Sequence, residues 1–156
     1  EHNAMYLNQS GKDFLNAGFL LGSAFEYDSR SVLATDMDEN GTQDLIVVEY
    51  NVKTMSQRLH IYKNTIDSDN SWIGINLEDN EITSPIGSVI TAKSKSRNWS
   101  KIIVNGDGFT SQSPSRAHFG LGKIKEISEI EVVWPNGQKT TISNPKINQY
   151  HQVSVN

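Results

Sequence analysis

Thr35-Asp36-Met37-Asp38-Glu39-Asn40-Gly41-Thr42-Gln43-Asp44-Leu45-Ile46-Val47-Val48 is the stretch that decides how this chain is read. Oxygen-bearing side chains stand at alternate positions, Asp36, Asp38 and Asn40, followed by Gly41, Asp44 and an apolar run. Side chains at every second residue of a short loop can converge on one point, and a glycine lets the backbone turn sharply between them. A donor set made only of oxygen suits a hard cation such as Ca²⁺. The stretch is not an EF-hand, which needs a bidentate Glu at its twelfth loop position; here that position is Val47, inside the apolar run. The loop therefore joins two strands, Ser31 to Thr35 and Leu45 to Tyr50. A second reading fits the same residues. Asn40-Gly41 between apolar runs is a strong hairpin signal, and Asp and Asn close Asx turns with no metal at all. Asp44 favours the metal loop, because a simple turn has no need of a further acid at that spacing.

The run Leu45-Ile46-Val47-Val48 is β-branched and continuous, which predicts a strand buried on both faces. Asn51 to Arg58 reads as a polar connection. Leu59-His60-Ile61-Tyr62-Lys63-Asn64 follows, and Tyr6 and Asn8 of Ala4-Met5-Tyr6-Leu7-Asn8 match its Tyr62 and Asn64. Phe19-Leu20-Leu21 and Phe25 form the apolar cluster before the loop. Asp67-Ser68-Asp69-Asn70 is polar and turn-prone, a boundary between strand patterns. Its two acids are read as part of a solvated linker rather than as cation ligands.

Beyond Trp72 the pattern is strand after strand. Ile73, Ile75 and Leu77 alternate with Gly74, Asn76 and Glu78, predicting a half-buried strand. Val89 to Ala92 and Ile102 to Val104 are two more. Ile130, Val132 and Trp134 alternate with Glu129, Glu131 and Val133, predicting a strand with an acidic outer face. Pro135-Asn136-Gly137 turns the chain so that Gln138 to Ile142 pairs back, and Tyr150 to Val155 closes it. No amphipathic helix is visible; Lys123 to Ser128 has room for one helical turn. The fold class expected is all-β, with antiparallel sheets, and the two halves packed on each other.

The loop and its sequel resemble an FG-GAP/VCBS-type repeat: Asp36-x-Asp38-x-Asn40-Gly41-x-x-Asp44-Leu45, then Leu59-His60-Ile61-Tyr62-Lys63-Asn64. Such repeats build β-propeller blades around a calcium loop. The resemblance implies side-chain ligands at Asp36, Asp38, Asn40 and Asp44, with the Thr42 carbonyl as a backbone ligand. Asn40 stands where the family has Asp, which removes a charge and implies a weak, micromolar-to-millimolar site. Tyr6 and Asn8 would then close a preceding unit. The second half resembles the ASPIC/UnbV domain in four pieces, in that family's order. They are Pro85-Ile86-Gly87-Ser88-Val89, Gly106-Asp107-Gly108-Phe109-Thr110-Ser111-Gln112, His118-Phe119-Gly120-Leu121-Gly122 and Val133-Trp134-Pro135-Asn136-Gly137. That domain commonly follows VCBS-type repeats in secreted or surface proteins, and no catalytic role attaches to it. The organisation implied is a blade-like unit over 1–66, a linker over 67–71, and a small β-sandwich or barrel-like domain over 72–156.

Composition bounds the function. The chain has 156 residues, with 14 basic and 18 acidic side chains and a net charge of −4, which gives no general pull toward nucleic acid. There is no cysteine, hence no disulfide frame and no zinc thiolate site. No apolar run approaches the roughly 20 residues of a membrane helix, so no membrane insertion is expected. No secretory signal is visible at Glu1, and the missing initiator Met points to a processed or trimmed chain. A calcium site of about 0.1–1 mM affinity works only outside the cytoplasm, so the expected location is extracellular, cell-surface or periplasmic.

Catalytic motifs are missing. Gly120 and Gly122 precede Lys123, but Ala117 and Ile124 occupy the other positions a phosphate loop requires. There is no nucleophile elbow and no zinc-protease helix motif. His2, His60, His118 and His151 have no metal-ligand spacing, and His118 is read as a structural residue bonding a loop backbone. Lys93, Lys95, Arg97, Trp99 and Lys101 share odd positions, which would make one cationic face for a sulfated glycan or a nucleic-acid backbone. A turn at Ser96-Arg97-Asn98 breaks that alignment and leaves a solvated hairpin tip. Trp134 is assigned to the core and Trp72 to a half-buried site. The reading reached is a non-enzymatic, calcium-binding β module for extracellular adhesion, with a protein or carbohydrate as partner. The alternative is an accessory domain of a secreted enzyme, or a small hydrolase with a spatially assembled site.

Overall fold

The acidic loop joins β3 (Asp28–Thr35) to β4 (Asp44–Asn51), and a turn at 52–55 leads into β5 (Ser56–Tyr62). The three strands form an antiparallel meander with β4 in the middle. Thr35 pairs with Asp44 as the last rung of the β3–β4 ladder, so the loop acids stand at the mouth of this hairpin. The computed structural model describes residues 3–66 and 68–155 of the chain; Glu1, His2, Asp67 and Asn156 lie outside the described residues, including the Asp67 end of the expected linker. Among the described residues there are twelve strands in four sheets and no helix, as the sequence pattern predicts for an all-β chain.

In β4, one expectation is corrected. Of its apolar run only Val47 is buried, whereas Leu45, Ile46 and Val48 are partly exposed. The sheet has three strands, and one of its faces presents Leu59 and Ile61 of β5 at 58% and 55% exposure. On the other face Phe25 stacks on the His60 ring at 4.3 Å, and His60 Nε2 meets the buried Glu49 carboxylate at 2.8 Å. Phe19 and Leu20 do not join this cluster and are exposed.

The second half is a two-layer sandwich. One layer is the four-stranded sheet β11-β10-β7-β8, made of β7 (Val89–Lys93), β8 (Asn98–Ile102), β10 (Glu129–Val133) and β11 (Lys139–Ser143). The other is the three-stranded sheet β12-β6-β9, made of β6 (Ser71–Leu77), β9 (Arg116–Gly122) and β12 (Tyr150–Val153). Alternation sends Ile73, Ile75 and Leu77 from one sheet, and Ile90, Ile130 and Val132 from the other, into a single apolar core. Each such fully buried side chain contributes about 1.5–3 kcal/mol relative to exposure. Trp134 joins them, buried as expected, with its indole N–H donating to Thr140 Oγ1 at 2.9 Å so that no donor is left unpaired. The outer face of β10 is acidic, also as expected, and Glu129 and Glu131 meet Lys93 and Lys139 there.

The sandwich departs from the sequence reading in three ways. No barrel closes. Not every sheet is antiparallel, because β12 runs parallel to β6. And β6 is not half-buried: apart from Asn76, every residue from Ser71 to Leu77 is buried, including Trp72. Its second face is covered by the acidic loop and by Tyr150, a contact that no local pattern in β6 could announce.

Near the amino end, β1 (Tyr6–Asn8) pairs with β2 (Phe14–Asn16) as a separate two-stranded hairpin rather than with the β3–β4–β5 meander. Asn8 and Asn64 both use the side-chain carbonyl to close a turn, on the Gly11 and Ile66 N–H respectively. Residues 123–128 make no helical turn. The cationic strip is broken by a turn at 94–97, earlier than the expected Ser96-Arg97-Asn98, since Asn98 already pairs with Lys93 in the β7–β8 ladder. Lys93 pairs with Glu129, the Ser94 hydroxyl caps the turn through the Ser96 and Arg97 N–H groups, and Arg97 lies over Trp99.

Candidate metal centre

The loop is built by its own carboxylates. Asp36 is fully buried, and its two oxygens accept the Asn40 and Gly41 N–H groups at 3.0 and 2.9 Å. Asp44, also buried, accepts Met37 N–H at 3.1 Å and Asn64 N–H at 2.8 Å, which ties the exit of β5 to the loop. Loop polar groups shut away from water must find partners, and here the two acids supply them. Asp38 stands at the rim, paired with Lys63 Nζ. Carboxylate oxygens of Asp36, Asp38 and Asp44 lie within 4.8 Å of one another. Oxygens that share a cation at about 2.3–2.6 Å can be no more than about 5 Å apart, so the three acids could hold a metal ion.

Asn40, also predicted for the site, has its side-chain oxygen engaged within the loop. Asn40 Oδ1 accepts both the Thr42 N–H, at 2.8 Å, and the Thr42 hydroxyl, at 2.6 Å. Asn40 thus closes an Asx turn on Thr42. The left-handed residues of the loop are Glu39, with φ 57°, and Gly41, with φ 92°.

The loop rests on an aromatic floor supplied by the sandwich. The Trp72 indole lies against Gly41 so closely that a Cβ there would sit 2.0 Å from Nε1. His118 of β9 stacks on Trp72 at 5.2 Å, and Tyr150 of β12 meets Trp72 at a tilt, 5.1 Å between ring centroids. Tyr150 in turn covers Gly74, its partner across the β12–β6 ladder, where a Cβ would fall 2.1 Å from the ring. Only glycine lets both rings approach these backbones.

Hydrogen bonds lock loop to floor. The Tyr150 hydroxyl donates to Asp36 Oδ2 at 3.1 Å and lies 3.1 Å from His118 Nδ1. Its single proton is spent on Asp36, so its oxygen accepts from His118, which sets the Nδ1–H tautomer. Arg116 spreads its guanidinium over three partners: Asn76 Oδ1 at 2.7 Å, the Asp36 carbonyl at 2.9 Å and Glu39 Oε1 at 3.1 Å. The same guanidinium sits 4.3 Å above the Tyr150 ring.

Electrostatics follow from burial and these partners. Burial, and then the Asp36 charge, push the Tyr150 hydroxyl far above the ordinary tyrosine range. A phenol held this firmly protonated is a hydrogen-bond donor and not a nucleophile. Burial lowers His118 below the usual histidine value; the Asp36 charge opposes this, while Lys101 and Arg116 add to it. At the rim, the hydrogen bond from Lys63 holds the Asp38 carboxyl below its ordinary range, and Asp38 raises the Lys63 ammonium in return.

The groups that grip the loop are not legible in the sequence. The structural role expected of His118 is a bond to a loop backbone, but it bonds the Tyr150 side chain instead. Arg116, Tyr150 and Lys63 carry no spacing signal, since Arg116 and Tyr150 are 80 and 114 residues from Asp36. A usable clue is the placement of Arg116 and His118 two apart in one strand, which puts both on the same face.

Comparison with known proteins agrees with the second half of this description. The family described as ASPIC and UnbV matches residues 78–156. The chain is 34% identical over 125 residues to cartilage acidic protein 1 of Xenopus tropicalis, covering 78% of this chain and 19% of that protein. It is 32% identical over 120 residues to cartilage acidic protein 1 of Homo sapiens, covering 75% and 18%, and 30% identical over 125 residues to that of Mus musculus, covering 78% and 19%. The chain thus spans about a fifth of the length of these relatives, whose shared name is not that of an enzyme. With the family matched over its whole second half, the chain belongs to the ASPIC and UnbV family.

Proposed function

We propose that this chain is a non-enzymatic, calcium-stabilised β module of an extracellular protein, acting in adhesion by binding protein or carbohydrate. The observation that carries the calcium assignment is the convergence of the Asp36, Asp38 and Asp44 carboxylates to within 4.8 Å. Three acids without thiolate or imidazole among them favour a hard cation, and Ca²⁺, which accepts irregular oxygen shells, fits better than Mg²⁺, which demands near-octahedral geometry and sheds water reluctantly. On this reading Asn40 and the Thr42 carbonyl complete the shell once the Asn40–Thr42 turn opens. Residues 1–66 form a VCBS/FG-GAP-like unit, 67–71 a linker and 72–156 the ASPIC/UnbV-like domain. The name of the relatives, cartilage acidic protein, supports an extracellular setting.

Calorimetric titration with CaCl₂, and thermal melts in calcium and in chelator, test the reading. Calcium should raise the melting temperature, because a ligand that binds only the folded state stabilises it by about 2.7 kcal/mol at a hundredfold excess over Kd. Asp36→Ala or Asp44→Ala should abolish the difference. Identical melts of the parent protein in calcium and in chelator would refute the metal assignment.

A further inference from the structure

Away from the acidic loop, the turn at 94–96 and the segments 123–128 and 144–147 enclose a cleft of about 1020 Å³. It shares no residue with the groove of about 540 Å³ beside the metal loop. Four lysines are among its lining residues, Lys95, Lys123, Lys125 and Lys146, against the single acid Glu126. The lining therefore carries a formal charge of +3 in a chain whose net charge is −4. Among the described residues, ion pairs engage Arg30, His60, Lys63, Lys93, Arg116 and Lys139, and none of the four cleft lysines.

The cleft is held in shape before any ligand arrives. Ser128 donates through both N–H and hydroxyl to the Lys93 carbonyl, at 2.8 and 2.9 Å, and its own carbonyl accepts Asn144 N–H at 2.9 Å. His151 Nε2 donates to the Lys146 carbonyl at 2.8 Å, and Lys125 Nζ donates to Ser71 Oγ at 3.2 Å. The floor is aliphatic: Ile127 belongs to the core, and Ile124 and Ile147 pack against it.

We propose that this cleft binds a sulfated glycan chain. Sulfate stays ionised at every physiological pH, and lysines present rotatable point charges rather than the planar fork that selects a single carboxylate or phosphate. An aliphatic floor can meet the C–H faces of sugar rings. The lining has no aromatic side chain on which nucleic-acid bases could stack. Nor does it include a free strand edge beyond loops and turns, so an acidic peptide would gain no backbone pairing. The glycan site stands apart from the calcium reading, and calcium should not be needed for it.

The test is calorimetry with a heparin-derived octasaccharide at low ionic strength, with calcium and with chelator. The parent protein should bind equally in both, binding should weaken with added salt, and the desulfated octasaccharide should not bind. Lys95→Ala/Lys123→Ala/Lys146→Ala should bind about tenfold more weakly or worse, as expected from the loss of three exposed charge contacts, with a melting curve like the parent's. Lys12→Ala/Lys53→Ala, which removes two exposed lysines elsewhere, should leave affinity unchanged. The proposal is overturned if the control variant loses as much affinity, or if the desulfated sugar binds as well. It is equally overturned if oligoglutamate binds more tightly than the glycan at the same lysines, or if chelator abolishes binding.

Discussion

The hydroxyl of Tyr150, on the last strand, donates to Oδ2 of Asp36, the first acid of the loop, across 114 residues of sequence at 3.1 Å. Together with the Arg116 bonds to the Asp36 carbonyl and to Glu39, it ties the acidic loop to the sandwich and so to the far end of the chain. Tyr150→Phe keeps the ring on Trp72 and Gly74 but leaves one acceptor position on buried Asp36 and the His118 Nδ1–H without a protein partner. The expected cost is about 1–3 kcal/mol, the usual penalty for a buried polar group stripped of its partner. Urea unfolding at neutral pH measures it; a difference below a few tenths would show that the bond is not a structural tie.

Gly41→Ala is expected to be more damaging. The added Cβ would fall 2.0 Å from the Trp72 indole, at a residue with φ of 92° that alanine adopts only under strain. The indole is buried and stacked on His118, so it cannot give way. A loss of about 2–4 kcal/mol is expected from strain and overpacking together. Thermal melts decide it, and retention of the parent melting temperature would mean the loop can lift off Trp72 freely.

Lys63 is expected to hinder cation binding. Its ammonium holds the Asp38 carboxylate and adds positive charge where a cation would enter. Lys63→Gln should tighten calcium binding about three- to fivefold, a modest gain because the pair is exposed and screened. Titration at two ionic strengths reads the effect, which should shrink in high salt. Unchanged affinity would place the ion away from Asp38.

Asn40→Asp separates the two roles open to that residue. If Asn40 is a ligand, the substituted carboxylate adds charge to the shell and should tighten calcium binding. If Asn40 serves only as the acceptor of the Thr42 turn, at 2.8 and 2.6 Å, the substitution should leave the affinity unchanged. Calorimetry of the two proteins distinguishes these outcomes.

Acid should loosen the fold through His118. Burial lowers its folded pKa below the ordinary 6.5, so the unfolded chain binds the proton more readily. The stability it contributes is present above about pH 6.5 and is lost as pH falls through the lowered folded value. Melting temperature should therefore drop between pH 7.5 and 5.5, and His118→Asn should flatten that part of the slope. An unaltered slope in the variant would assign the acid sensitivity to other groups.

What the sequence determined by itself was local. Alternation in Ile130-Glu131-Val132 set the faces of β10, Pro135-Asn136-Gly137 set its hairpin, and the spacing of Asp36, Asp38 and Asp44 was enough to bring three carboxylates together. Each of these depends on residues a few positions apart, where backbone geometry alone dictates which side chains meet. The tertiary structure decided everything that depends on a second surface. Leu45 to Val48 looks like the fully buried strand, yet it lies in a three-stranded sheet with partly exposed faces. Ser71 to Leu77 looks half-buried, yet the acidic loop and Tyr150 cover its other face. Burial is a property of what packs against a strand, and Arg116 and Tyr150 reach Asp36 only because the sandwich brings β9 and β12 to either side of β6.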